Sequence, residues 1–91
     1  MSKKVHIEVI GVTPPCKRCK ATWKNVESAA SGARSAGIEV TMEKLDIASD
    51  KTLSKYGPIM SPALALNGTV RTMGRIPETK EIEALIKEAA G

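Results

Sequence analysis

Residues 4–19 read K-V-H-I-E-V-I-G-V-T-P-P-C-K-R-C, and the fold follows from how that stretch changes character. Val5, Ile7 and Val9 alternate with His6 and Glu8, and β-branched residues dominate. That predicts a strand over Lys4–Ile10 with one clearly apolar face. Gly11 to Pro15 stops it, because successive prolines supply no ladder donors and favour a turn. Beyond the turn, Cys19, Trp23, Val26, Ala30 and Ala33 recur at alternating spacings of four and three, which is one face of a helix. Gly37 ends that helix as a left-handed C-terminal residue. Cys16 therefore falls at or just before the first helical turn, and Cys19 inside it.

Working outward, Ile38, Val40 and Met42 alternate with Glu39, Thr41 and Glu43 as a second strand, and Leu45 and Ile47 continue the apolar character in a shifted phase. Asp46 to Asp50 reads as a turn, with Ser49 capping a short helix over Asp50–Tyr56 that Gly57-Pro58 closes. Ala63 to Leu66 is a short apolar run. Asn67-Gly68 is a two-residue hairpin signal, Thr69 to Met73 is the return strand, and Gly74 breaks it. Pro77 suits the first position of a last helix, whose apolar stripe is Ile82, Leu85, Ile86 and Ala89. The predicted order is β-α-β-α-β-β-α.

The 91 residues form one small domain, residues 1–91. Apolar residues make up 42% and charged residues 26%, which fits a globular chain and argues against disorder. The aromatics are Trp23 and Tyr56, with no Phe, so the core must be built from Val, Ile, Leu, Met and Ala. The net charge is +4. The basic residues are interspersed with acids and lack aromatic interleaving, so a nucleic-acid partner is not expected. No apolar run approaches a membrane span. Met1 to Lys4 is basic, but His6 and Glu8 interrupt the short apolar run after it, so no targeting signal is read and the expected compartment is the cytoplasm. Nothing requires a dimer, and a monomer is expected.

Cys16 and Cys19 are the only cysteines, too few for a disulfide-scaffolded secreted domain. At a strand-to-helix junction, helix N-terminal N–H groups stabilise a thiolate and lower its pKa below that of a free thiol. Lys17, Arg18 and Lys20 add positive charge. The i, i+3 spacing puts both sulfurs on one side of the first turn, so a disulfide closes without unwinding the helix. Cys16, nearer the exposed end, is the better nucleophile. Cys19, on the apolar face, is the resolving thiol. Two alternatives use the same pair. As a staple, so short a loop contributes about 2 kcal/mol or less. As a soft-metal or metalloid carrier, the two thiolates would hold Cu(I) or As(III), although small copper chaperones place β-β-α-β after their C-x-x-C and this chain does not. A closed structural zinc site is not expected, since two thiols and His6 fall short of four ligands. No metal site is therefore assigned. His6 is expected to face solvent or a polar partner.

Three blocks of the chain together resemble the thioredoxin superfamily. The first is strand, turn, C-x-x-C and helix. The second is Lys55-Tyr56-Gly57, four residues, then Pro62 and the apolar strand A-L-A-L. The third is the Asn67-Gly68 hairpin, Gly74 and a C-terminal amphipathic helix. The chain looks most like the small archaeal and bacterial redox-active disulfide proteins. The resemblance implies an α/β minimal thioredoxin-like fold with a four-stranded mixed sheet in the order 2-1-3-4, flanked by helices. It implies a cis Ser61–Pro62 bond beside the cysteines, with Ser61 and Pro62 offering backbone groups to an extended substrate; the alternative is that Pro62 merely starts an edge strand. It implies thiol–disulfide exchange with protein disulfides, a flavin-dependent thioredoxin-reductase-like reductant, and no cofactor beyond the redox-active Cys16–Cys19 disulfide. Lys17 and Arg18 replace the thioredoxin Gly-Pro; they are counted with the substrate-binding residues, able to attract a glutathione carboxylate, and they predict a couple more oxidising than thioredoxin. Pro15 replaces the tryptophan before the first cysteine. Ile10 falls where thioredoxins keep a buried aspartate, and Glu8 is the candidate substitute. The glutaredoxin Gly-Gly-x-Asp region is absent.

Overall fold

The computed structural model describes residues 3–12 and 17–91. Its elements are β1 (Lys3–Gly11), α1 (Lys17–Ser35), β2 (Ile38–Asp46), α2 (Asp50–Tyr56), β3 (Ala63–Leu66), β4 (Thr69–Met73) and α3 (Thr79–Ala90). They build one four-stranded sheet in the order β2-β1-β3-β4. β1 runs parallel to β2 and antiparallel to β3, and β3 and β4 form an antiparallel hairpin. This is the thioredoxin-like topology that the sequence implied.

The central position of β1 means that both of its faces are covered. Val5, Ile7 and Val9 enter a cluster with Val26 and Ala30 of α1 and Ile82 and Ile86 of α3. The other face carries Ile10, which packs with Leu45, Ala63 and Ala65, and with Tyr56 of α2 beside them. Small side chains at Ala29, Ala30 and Ala33, all buried, let α1 approach the sheet and α3 closely. Trp23 is partly buried against the first cluster.

The boundaries depart from the sequence expectation at the end of β1 and the start of α3, while the shifted phase at Leu45 holds. β1 does not stop at Ile10 but continues through Gly11, because Gly11 is paired with Asp46 and its carbonyl accepts from Ile47 N at 2.8 Å. The phase shift at Leu45 is not a break. β2 is continuous, and Leu45 changes the face that is buried, from the α1 side to the Ile10 side. Pro77 is not the first residue of α3. That helix starts at Thr79 with Glu78 as its N-cap, and Pro77 is buried ahead of it, its carbonyl accepting from Asn25 Nδ2 at 2.9 Å. A proline carbonyl held by α1 fixes where the chain enters α3, and the helix begins after that contact.

Two local signals hold as read. Ser49 caps α2, its hydroxyl accepting from Thr52 N. Asn67 and Gly68 have φ of 51° and 85°, the paired positive values of the type I′ hairpin turn.

Candidate functional site

The site assembles where β1 gives way to α1. Cys19 lies in the first turns of α1 and is 6% exposed. It packs against Gly11, where an added Cβ would lie 2.7 Å from Cys19 Sγ. Cys16, together with Thr13, Pro14 and Pro15, lies outside the described residues. A cleft of about 400 Å³ opens beside Cys19, lined among others by Gly11, Val12, Trp23 and Lys44. Lys44 Nζ sits 4.6 Å from the Trp23 ring centroid, a cation–π contact that the sequence reading did not find. The strand pairing supplies it, since Lys44 is opposite Val9 and so faces α1.

The Ser61–Pro62 peptide is cis, and Pro62 is buried just before β3. The Pro62 carbonyl accepts from Gly74 N at 3.0 Å, and the Gly74 carbonyl accepts from Arg18 Nη2 at 2.7 Å. This chain of bonds ties the first turn of α1 to the proline loop. Arg18 thus has an intramolecular partner, while Lys17 is exposed. Gly74 has φ of 75°, and Met60 Cε lies 3.3 Å from where its Cβ would be. Met60, Met73 and Ile76, on either side of this turn in the chain, are exposed apolar side chains.

Glu8, the candidate substitute for the family's buried aspartate, is engaged on the α2 side of the sheet. By strand alternation it lies on the Ile10 face of β1, whereas Gly11, with Cys19 against it, lies on the Val9 face. Its side chain is 1% exposed, and its Oε1 accepts from Lys55 Nζ at 2.7 Å and from the Tyr56 hydroxyl. Burial raises the carboxyl's pKa, but the bonds from Lys55 and Tyr56 and the Lys55 charge outweigh it, so the pKa lies below the usual carboxylate value. The pKa of Lys55 is raised, chiefly by the bond to Glu8. Burial, followed by the bond to Glu8, raises that of Tyr56. The result is an ionised carboxylate under α2, held by two neighbours of the K-Y-G motif.

A family model described as a thioredoxin domain matches residues 5–87. The chain belongs to the thioredoxin family. Curated relatives agree. It is 33% identical over 85 residues to a "Probable Thioredoxin" of Methanothermobacter thermautotrophicus, covering 92% of this chain and 95% of that one. A "Probable Thioredoxin" of Methanothermobacter marburgensis matches at the same identity and coverage. Among solved structures, the oxidised thioredoxin from Plasmodium falciparum superposes with a TM-score of 0.66 at 15% identity, covering 98% of this chain and 84% of that one; this likeness speaks to the thioredoxin fold. Membership in the thioredoxin family supports thiol–disulfide oxidoreduction of protein substrates as the general class of activity. Among the described residues, no helix is long and apolar enough to cross a membrane.

Proposed function

We propose that the protein is a dithiol–disulfide oxidoreductase in which Cys16 is the nucleophile and Cys19 the resolving thiol. The Cys16 thiolate attacks one sulfur of a substrate disulfide, and the other substrate sulfur leaves as a thiolate. Cys19 then attacks the Cys16 sulfur of the mixed disulfide. The second substrate thiolate leaves, and two electrons have passed from the dithiol to the substrate. No bound cofactor is required.

The observation that carries this reading is the placement of Cys19. It is buried at the N-terminal end of α1, while Arg18 on the same turn reaches the loop that leads back to Pro62. A resolving thiol should be shielded from outside oxidants yet lie one helical turn from its partner, and i, i+3 spacing gives that. Ser61 and Pro62 serve the extended substrate, and Lys17 and Arg18 form the charged rim; Arg18 keeps further guanidinium donors beyond the one given to Gly74. A cytoplasmic monomer reset by a thioredoxin-reductase-like flavoenzyme completes the proposal.

The test is a redox titration of the cysteine couple in glutathione and dithiol buffers, read by alkylation and mass shift. A reversible two-electron transition at a potential above about −270 mV is expected, because Lys17 and the helix N-terminus stabilise the reduced thiolate. A couple that stays oxidised below about −300 mV would make the pair a structural staple and overturn the assignment. Trapping of mixed disulfides by the Cys19→Ser variant, and not by Cys16→Ser, checks the division of roles.

A further inference from the structure

On the face of the sheet away from Cys19, β1 and β2 bring together three metal-ligating side chains that are scattered in the sequence. His6 and Glu8 project from β1, and Glu43 projects from β2 directly opposite Glu8 in the strand pairing. One donor atom from each lies within 4.8 Å of those of the other two. We propose that His6, Glu8 and Glu43 form a binding site for a zinc-class divalent transition-metal ion.

Several features of these residues fit a metal site beyond mere proximity. His6 Nε2 and Glu43 Oε1 are 3.3 Å apart. Tetrahedral bonds of about 2.0–2.2 Å set neighbouring donors about 3.4 Å apart, so this edge of the polyhedron is already formed. His6 Nδ1 lies 2.7 Å from Thr41 Oγ1. A ligating imidazole characteristically engages its second nitrogen in this way, which fixes the ring and leaves Nε2 for the metal. The Glu8 side chain is 1% exposed, and its Oε2 is buried without a hydrogen-bond partner. An unsatisfied buried carboxylate oxygen is costly, and a cation between the strands would satisfy it.

The other carboxylate oxygens are already used. Lys55 and Tyr56 hold Glu8 Oε1, and Lys51 holds Glu43 Oε2 at 2.9 Å. Glu43 Oε1 faces His6 Nε2 and is not the oxygen that Lys51 holds, and Glu8 Oε2 is not bonded by Lys55 or Tyr56. Lys51 and Lys55 oppose a dication, but their side chains are 62% and 42% exposed and can turn into water. His6 and Glu43, at 41% and 38% exposure, leave the entry path open. One imidazole with two carboxylates selects for zinc-like ions over Mg2+ and Ca2+, which prefer all-oxygen shells.

His6 is the only histidine, so its ring resonances report on the site alone. The experiment titrates Zn2+ into untagged protein carrying Cys16→Ser and Cys19→Ser, which removes thiol ligation, with NMR of the His6 ring and calorimetry as readouts. Saturable binding of one equivalent, with the His6 signals shifting in step, is expected. Glu43→Gln should weaken it at least about tenfold, and His6→Ala should abolish it. Both residues are partly exposed and neither is in the core, so folding is not at issue, whereas Glu8→Gln needs its fold checked first. His6 signals unmoved at millimolar Zn2+, an affinity unchanged in Glu43→Gln, or equal binding of Mg2+ or Ca2+ would each overturn the proposal.

Discussion

A methyl group on Gly11 would lie 2.7 Å from Cys19 Sγ, a separation that packed atoms do not tolerate. Gly11→Ala should therefore push the first turn of α1 outward and cost about 1–3 kcal/mol. Urea unfolding measures the stability loss, and faster alkylation of Cys19 would show the thiol becoming exposed. Glu8 is governed by charge rather than volume. Its pKa is lower in the folded state than the ordinary value, so the folded protein binds fewer protons than the unfolded chain. Its contribution is present above the unfolded carboxylate pKa of about 4.3 and is lost as pH falls through the lower folded value. Glu8→Gln should cost about 1–3 kcal/mol near neutral pH, with the gap to wild type closing as the medium is made acid. Denaturant titrations of both proteins across the acid range, with a chelator present, measure that convergence; a gap that stays constant would place the effect in packing rather than charge.

At the scale of elements, the β3–β4 hairpin rests on two residues of positive φ, Asn67 and Gly68. Nothing lies within 4 Å of where a Gly68 Cβ would be, so Gly68→Ala tests backbone conformation without steric contact. A cost of about 1–2 kcal/mol is expected for the left-handed geometry, with the register of Leu66 and Thr69 preserved, as read by cross-strand NMR contacts. The joint between α1 and the proline loop is of a different kind. Arg18, Gly74 and Pro62 come from three parts of the chain and are linked only by hydrogen bonds. Asn25 does the same further along α1, where it fixes the entry to α3 through Pro77. One helix thus holds the β4–α3 connection at two points, Gly74 and Pro77, and through Gly74 it is tied to Pro62.

At the scale of the molecule, a sheet only four strands wide is covered on both faces by side chains that are almost all aliphatic. Ile82 is fully buried in the α1–α3 layer, and Ile82→Ala should cost about 2–5 kcal/mol. In so small a fold that loss should lower the midpoint of a single cooperative transition; coincident fluorescence of Trp23 and far-UV circular dichroism would check it. The two faces divide the chemistry. The α1 face carries Cys19 and its cleft, and the α2 face carries the ionised Glu8 with His6 and Glu43, so a change on one side can be assayed without rebuilding the other.

The element order, the capped α2, the hairpin turn and the thioredoxin topology were legible in the sequence, because periodicity, caps and turn residues act over a few positions and report themselves locally. Cys19 on the buried face of α1 was legible for the same reason, and the spaced Pro62 through family resemblance. The contacts that give the site its shape were not. Alternation shows that His6, Glu8 and Ile10 share a face of β1, but not which helix covers that face, so the partners of Glu8, Lys55 and Tyr56 of α2, could not be read from the strand. The start of α3 was misplaced because Pro77 is held by Asn25, 52 positions away. Gly11 against Cys19, Arg18 on Gly74, and Glu43 beside His6 likewise exist only once strands pair and helices pack, since each joins residues that no local pattern relates. Local pattern sets the elements and their order, whereas which side chains meet is set on folding, because burial and pairing are properties of the assembled faces.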